Sequence, residues 1–374
     1  MERVIADGQF EIRGAELLRV LKRILDDPEI RTGDGFKARL LSPPGEMYDP
    51  LFMRDRGDVV WVNDCGGQEG SAGGQIVAVD RQGRVETVVG LGRLLPVTGF
   101  DIAPASFAPF SGHIFCLSQA EVGRPGLSKN HVIQRVDPAQ DDAAAIFCRL
   151  PSVGSYSMSG APPGTAGWGI DALFGPEGSA FAGKFFAITT MNGTIYQVTP
   201  DGKCAPFVTF DRDVWGSPQG MMFSEDERHI LVATNNERGG AVARLSADGA
   251  IEPEPLLSLE NIWLTGMAVA PRDFGTFGGQ LFIGGLRTSK ASVDLMSAGA
   301  LREELTRPPS AIGVVHRLDN NGEVKLVATG FRNPQAIHFV ENRMWVSDLN
   351  GDFIAENREL PDGFIVEIIA SPPS

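Results

Sequence analysis

One unit recurs along this chain: a Gly-led strand, a tight turn and a second strand. It reads GGQIVAVDRQGRVETVV (73–89), GTIYQVTPDGKCAPFVTF (193–210), GAVARLSADGAIEPEPLL (240–257) and GVVHRLDNNGEVKLVAT (313–329). Each copy alternates apolar and polar residues and turns at Gln-Gly, Asp-Gly or Asn-Gly, the local signature of a β-hairpin. The stretches ahead of these hairpins align as well. Second strands read DVVWVND (58–64), GHIFCLS (112–118), GKFFAIT (183–189), RHILVAT (228–234), GQLFIGG (279–285) and NRMWVSD (342–348), and first strands begin near Asp49, Gly99, Asp171, Gly220, Gly266 and Ala336.

Six units of about 45–50 residues, each with four antiparallel strands, predict an all-β, six-bladed β-propeller spanning residues 36–374. The sixth unit holds only three strands of its own, so FKARLL (36–41) is expected to supply the fourth and close the ring. Residues 1–35 read as an extension in which Leu17, Leu18, Leu21, Ile24 and Leu25 share one face of a short amphipathic helix docked on the propeller. Gly 45 and Pro 25 in 374 residues fit many short strands and turns better than long helices.

A formal net charge of -14 and the lack of a basic stripe speak against nucleic-acid and anionic-membrane partners, which need clustered Lys and Arg. No apolar run is long enough to span a membrane and no basic-then-apolar leader opens the chain, so a cytoplasmic protein is expected. Cys65, Cys116, Cys148 and Cys204 lack CxxC spacing and read as reduced thiols rather than a zinc site. Nothing sets an oligomeric state.

Antiparallel strands place the loops before each first strand on the same face as those joining second to third strands. The long insertions 119–130, 151–167 and 286–310 fall there. Tyr48, Trp168, Trp215 and Trp263 also lie ahead of first strands, suggesting an aromatic-lined mouth for a small molecule, or packing between blades. Glu46, Asp49, Asp101, Asp171, Gln219, Asn333 and Gln335 are expected at or beside the starts of the inner strands, with Asn63, Asp64, Asn192, Asn235, Asn236 and Asp348 at second-strand ends. As a set they suggest a divalent site with oxygen ligands, calcium first; singly, each also reads as a turn or strand cap.

PGEMYDPLF followed by VVWVND resembles the opening of the gluconolactonase/regucalcin-like (SMP-30) hydrolases. That resemblance implies Glu46 as a metal ligand, with Asp171 and Asn333 as the nearest counterparts of the others, since Ile170, Gln219 and Thr265 stand where the family pattern has Asn or Asp. GFRNPQAIHF with MWVSDLNGD resembles a blade of the soluble quinoprotein sugar dehydrogenases, for which His131 is a loose catalytic counterpart. The reading that results is a metal-dependent, lactonase-like hydrolase. Glu46, Asp171 and Asn333 would hold the ion, Asp49, Asp101 or His338 would move a proton, and Tyr48, Trp168, Trp215, Gln219, Trp263, Arg332 and Gln335 would bind substrate. A quinoprotein dehydrogenase, a metal-assisted isomerase or lyase, and a non-catalytic binding propeller are the alternatives.

Overall fold

The computed structural model describes residues 29–65, 73–119, 131–140, 144–150, 171–190, 193–211, 213–287, 313–349, 361 and 363–371. The expected helix at 15–25, Trp168, Asn192 and nearly all of the three long insertions lie outside them. Six antiparallel sheets follow one another in chain order. Blade 1 comprises Pro50–Arg56, Val59–Asp64, Gly74–Asp80 and Val85–Leu94, and blade 2 Val97–Ile102, Ile114–Gln119, His131–Val136 and Ala145–Arg149. Blade 3 comprises Ala172–Phe174, Phe185–Thr189, Thr194–Val198 and Cys204–Thr209, and blade 4 Ser217–Phe223, Ile230–Asn236, Gly239–Leu245 and Leu257–Glu260. Blade 5 is Ile262–Val269, Leu281–Arg287, Gly313–Leu318 and Val324–Phe331; blade 6 is Pro334–Val340, Arg343–Asp348, Gly363–Ala370 and the N-terminal strand Phe36–Met47.

The N-terminal strand therefore closes the ring, pairing antiparallel to Gly363–Ala370 from Phe36↔Ala370 to Met47↔Gly363. A second element was not foreseen. Arg31–Thr32 adds a fifth strand to blade 5, opposite Thr329 and Ala328, so the segment ahead of Phe36 latches one blade before completing the next.

The four hairpin turns read from the sequence form as expected. Gly83, Gly202, Gly249 and Gly322 sit at φ of 82°, 78°, 86° and 81°, a region that residues with a Cβ avoid. The apolar faces that alternation creates do not meet in one core. Six clusters form, one at each blade-to-blade interface. At the blade 2/3 interface Phe107, Phe115, Phe174 and Phe185 pack edge-on or tilted at centroid distances of 4.6–5.8 Å, geometries favoured by the ring quadrupole.

The inner strands carry the features that shape the central channel. In blades 1, 2, 4, 5 and 6 the pairing of first with second strand slips at one place, between Pro50 and Met53, Val97 and Gly99, Pro218 and Met221, Leu264 and Met267, and Pro334 and Ile337. A bulge re-aims the residues that follow it. Beside these slips Gly220 and Gly266 lie so near the next inner strand that a Cβ would meet Thr265 O at 2.7 Å and Gln335 O at 2.3 Å.

Candidate functional site

Beyond the bulges, one residue from each inner strand stands at equivalent register. Arg54, Asp101, Leu173, Met222, Ala268 and His338 pair with Trp61, Phe115, Phe186, Leu231, Phe282 and Trp345 of their second strands. All six line one cavity of about 340 Å³ in the lower half of the channel, toward the ends of the inner strands. Its wall has two sides. His338, Arg54 and Asp101 come from the consecutive blades 6, 1 and 2, and Asp171 joins them from blade 3; Met221, Met222, Phe223, Met267 and Val269 from blades 4 and 5 make the other side apolar.

Arg54 is the hub of the polar side. Its Nη2 donates to Asp171 Oδ1 at 3.0 Å and to Ala172 O at 2.8 Å, and Nη1 donates to Met53 O at 2.9 Å. Nε lies 3.5 Å from Asp101 Oδ1, an ion pair longer than a hydrogen bond. A guanidinium has five N–H groups. Among the described residues, one Nη1–H has no partner and Nε–H is only loosely engaged. The rings of Phe52 and Phe100 lie 6.0 and 5.8 Å from Cζ and confine the group further.

The two carboxylates also tie blades together. Asp101 Oδ2 accepts the Phe174 N–H at 2.7 Å, and Asp171 Oδ2 accepts the Met221 N–H at 3.2 Å, each on the next inner strand. Asp171 is sealed at 2% exposure, whereas Asp101 and Arg54 show 19% and 21% of their side chains. Burial raises Asp101 above the usual carboxylate range and pushes Asp171 up to about 6, against the opposing pull of Arg54. One guanidinium therefore does not fully offset the desolvation of two acids. On the neighbouring blade, His338 Nε2 lies 3.0 Å from Asp55 Oδ1, so that carboxylate orients the imidazole from outside the cavity.

The residues expected at strand starts are disposed differently. Asp101 lies near the end of its strand, not the start. Glu46 is exposed on the outermost strand of blade 6. Asn333 is buried with its Oδ1 taken by Gln335 Nε2 at 2.6 Å. With both Asp171 oxygens held as above, Glu46, Asp171 and Asn333 present no converging donors, and among the described residues no three His, Cys, Asp or Glu side chains group as a metal site. The divalent ion does not fit this set, because Asp171 is already paired with Arg54, Glu46 is exposed on an outer strand and Asn333 Oδ1 is taken by Gln335.

Second-strand ends turn out to be fasteners. Asp64 accepts the backbone N–H groups of Tyr48 and Asp49 at 3.0 and 2.7 Å, and Asp348 accepts those of Arg332 and Asn333 at 2.9 and 3.0 Å. Asn63 accepts Phe52 N–H and donates to Val97 O, and Ser347 accepts Ala336 N–H and donates to Leu51 O; each spans two blades. Tyr48, Asp49, Gln219, Trp263, Arg332 and Gln335 stand in the upper half and do not line the lower cavity, while Trp215 packs in the blade 3/4 core. Arg54 and Asp55 are the residues that sequence reading missed. Aligning the six units by second-strand pairing would have placed Arg54 in the same column as Asp101 and His338.

No protein-family model matches the chain, and no curated protein matches it in sequence. Solved structures do match in shape. A PQQ-bound aldose sugar dehydrogenase from Streptomyces coelicolor superposes with TM-score 0.53 at 14% identity, over 91% of this chain and 99% of that one. A glucose dehydrogenase gives 0.52 at 14%, over 90% and 100%, and a protein assigned as a gluconolactonase gives 0.51 at 12%, over 91% and 93%. The likeness is one of fold. Propellers of one architecture host unrelated chemistries.

Proposed function

We propose that the protein is a lactonase-like hydrolase acting on a small, partly apolar carbonyl compound in the lower channel. The observation that carries this reading is the unspent Nη1–H of Arg54, held by Asp171 in a cavity that His338 also lines. The substrate carbonyl oxygen accepts from Arg54, whose charge is worth most on the oxyanion formed as water adds to the carbonyl carbon. His338, oriented by Asp55 through Nε2, takes the proton of that water as general base and returns it to the leaving alkoxide. Asp171 is a positioning residue, because it fixes the guanidinium and both its oxygens are already engaged. The carboxylate product forms beside Asp101, which repels it and favours release.

No step uses a divalent ion. Turnover is therefore expected to persist after exhaustive chelation, and loss of activity restored by calcium would return the metal-dependent mechanism to first place. A panel of lactones and aryl esters tests the reaction class. Arg54→Met is expected to lower kcat/KM by about 10²–10³-fold, the scale of losing one oxyanion donor, and His338→Gln to lower kcat by about 10²–10⁴-fold, the scale of losing a general base. Visible absorbance of a bound quinone together with dye reduction on sugars would overturn the hydrolase reading.

A second reading places the substrate in the upper half. It is favoured by Gln219 Nε2 and Thr265 Oγ1, both buried on adjacent inner strands and without a hydrogen-bond partner among the described residues. Gln219→Met lowering kcat/KM while Arg54→Met does not would select it.

A further inference from the structure

The lower cavity has a charge balance of its own. Arg54, Asp101, Asp171 and His338 are the ionisable residues in its lining, and the other lining residues are all apolar. With His338 neutral this sums to one positive and two negative charges. Neighbouring charges do not close the deficit: Asp55 adds a further negative charge against His338, and Arg56 lies over the Trp61 ring at 5.5 Å and does not line the cavity. An uncompensated charge inside apolar walls is costly unless something pairs with it.

Geometry gives the deficit a location. Asp171 is sealed and fully engaged, so the carboxylate a ligand can reach is Asp101, with 19% of its side chain open. Its Oδ1 takes the Ile102 N–H at 2.8 Å and its ion pair with Arg54 is the long one, which leaves lone-pair directions toward the cavity. Facing it from blades 4 and 5 are thioethers and an aromatic ring, among them Met221, Met222, Met267 and Phe223. Aromatic faces and a carboxylate together recognise an ammonium carried on an apolar body, and both repel or waste an anion.

We propose that the substrate of this cavity is a small organic cation, an ester or lactone bearing an ammonium group on an apolar frame, with Asp101 as the residue that selects the charge. This rests on the hydrolase reading for the reaction but not for the binding. Asp101 pairs with the ammonium, Arg54 with the carbonyl oxygen, and the methionine and phenylalanine side takes the frame. Benzoate-like anions are excluded by the same field that expels the carboxylate product.

Calorimetry with three ligands of one shape tests it on the intact protein at pH 7.5: benzylammonium, benzyl alcohol and phenylacetate. Benzylammonium is expected to bind at least about tenfold more tightly than the alcohol, a 1.4 kcal/mol preference, with phenylacetate not detected. In Asp101→Asn the ammonium and the alcohol converge while alcohol binding persists, which also reports that the cavity is still formed. Equal affinities in the wild-type protein, or tightest binding of phenylacetate, would overturn the proposal even if the variant fails to fold. Ammonium selectivity without ester turnover would keep this inference and remove the hydrolase; turnover confined to neutral or anionic esters would do the reverse.

Discussion

Asp171 links the chemistry of the channel to the stability of the fold. Its folded pKa of about 6 stands above the unfolded value of about 3.9. The folded state therefore binds this proton more tightly. Asp171 aids stability fully below about pH 4 and loses that contribution as pH rises through 6. His131 and His316, pushed down to about 4 by burial, act with the opposite sign over a similar window, and Asp201 and Asp319, lowered to about 2, act below it. The comparison that isolates Asp171 is Asp171→Asn against the wild-type protein. The stability of the variant relative to wild type is expected to be greatest at pH 7 and to fall by about 2 kcal/mol by pH 4, measured by urea unfolding across that range. Removing the cation instead, in Arg54→Met, leaves two buried acids unpaired and is expected to cost about 3–5 kcal/mol at pH 7, less as pH drops and Asp171 takes up its proton.

Single strands owe their position to partners on the neighbouring blade. Asn63 and Ser347 each satisfy a backbone N–H on their own inner strand and a backbone carbonyl on the next. Replacing either by a residue without hydrogen-bonding groups strands two buried backbone groups. Asn63→Leu is expected to cost about 2–4 kcal/mol, read as a loss in denaturant midpoint, and Ser347→Ala somewhat less because its vacancy is smaller. The strands themselves were legible because period-2 alternation and Gly turns are local. The side of the channel on which chemistry gathers was not, for a reason the bulges supply. A one-residue slip exchanges the faces of everything after it, so MRDR at 53–56 reads as the polar end of a strand although Arg54 turns toward the axis. Glu46, prominent in the sequence because of the resemblance at PGEMYDP, lies on an outer strand, exposed in the stretch between Ser42 and Met47 where the pairing shifts register.

The whole molecule is a ring of six blades, and the sixth is completed by pairing strands distant in the chain. Glu367, almost fully buried on the last strand, gathers Arg39 from the N-terminal strand at 2.6 Å, Arg343 at 3.2 Å and Trp345 Nε1 at 3.3 Å. Glu367→Ala is expected to lower the melting temperature and to make strand Phe36–Met47 the first to lose hydrogen-exchange protection. The closing pair also has a direction. Phe36 lies opposite Ala370 and Met47 opposite Gly363, so the free flanks of both strands leave from the same end of the ladder. Tension applied through the two flanks reaches the Phe36–Ala370 rung first and then each rung in turn. After the short Arg31–Thr32 latch peels, this clasp opens as a zipper does, at low force, while the same pair resists sliding along its length.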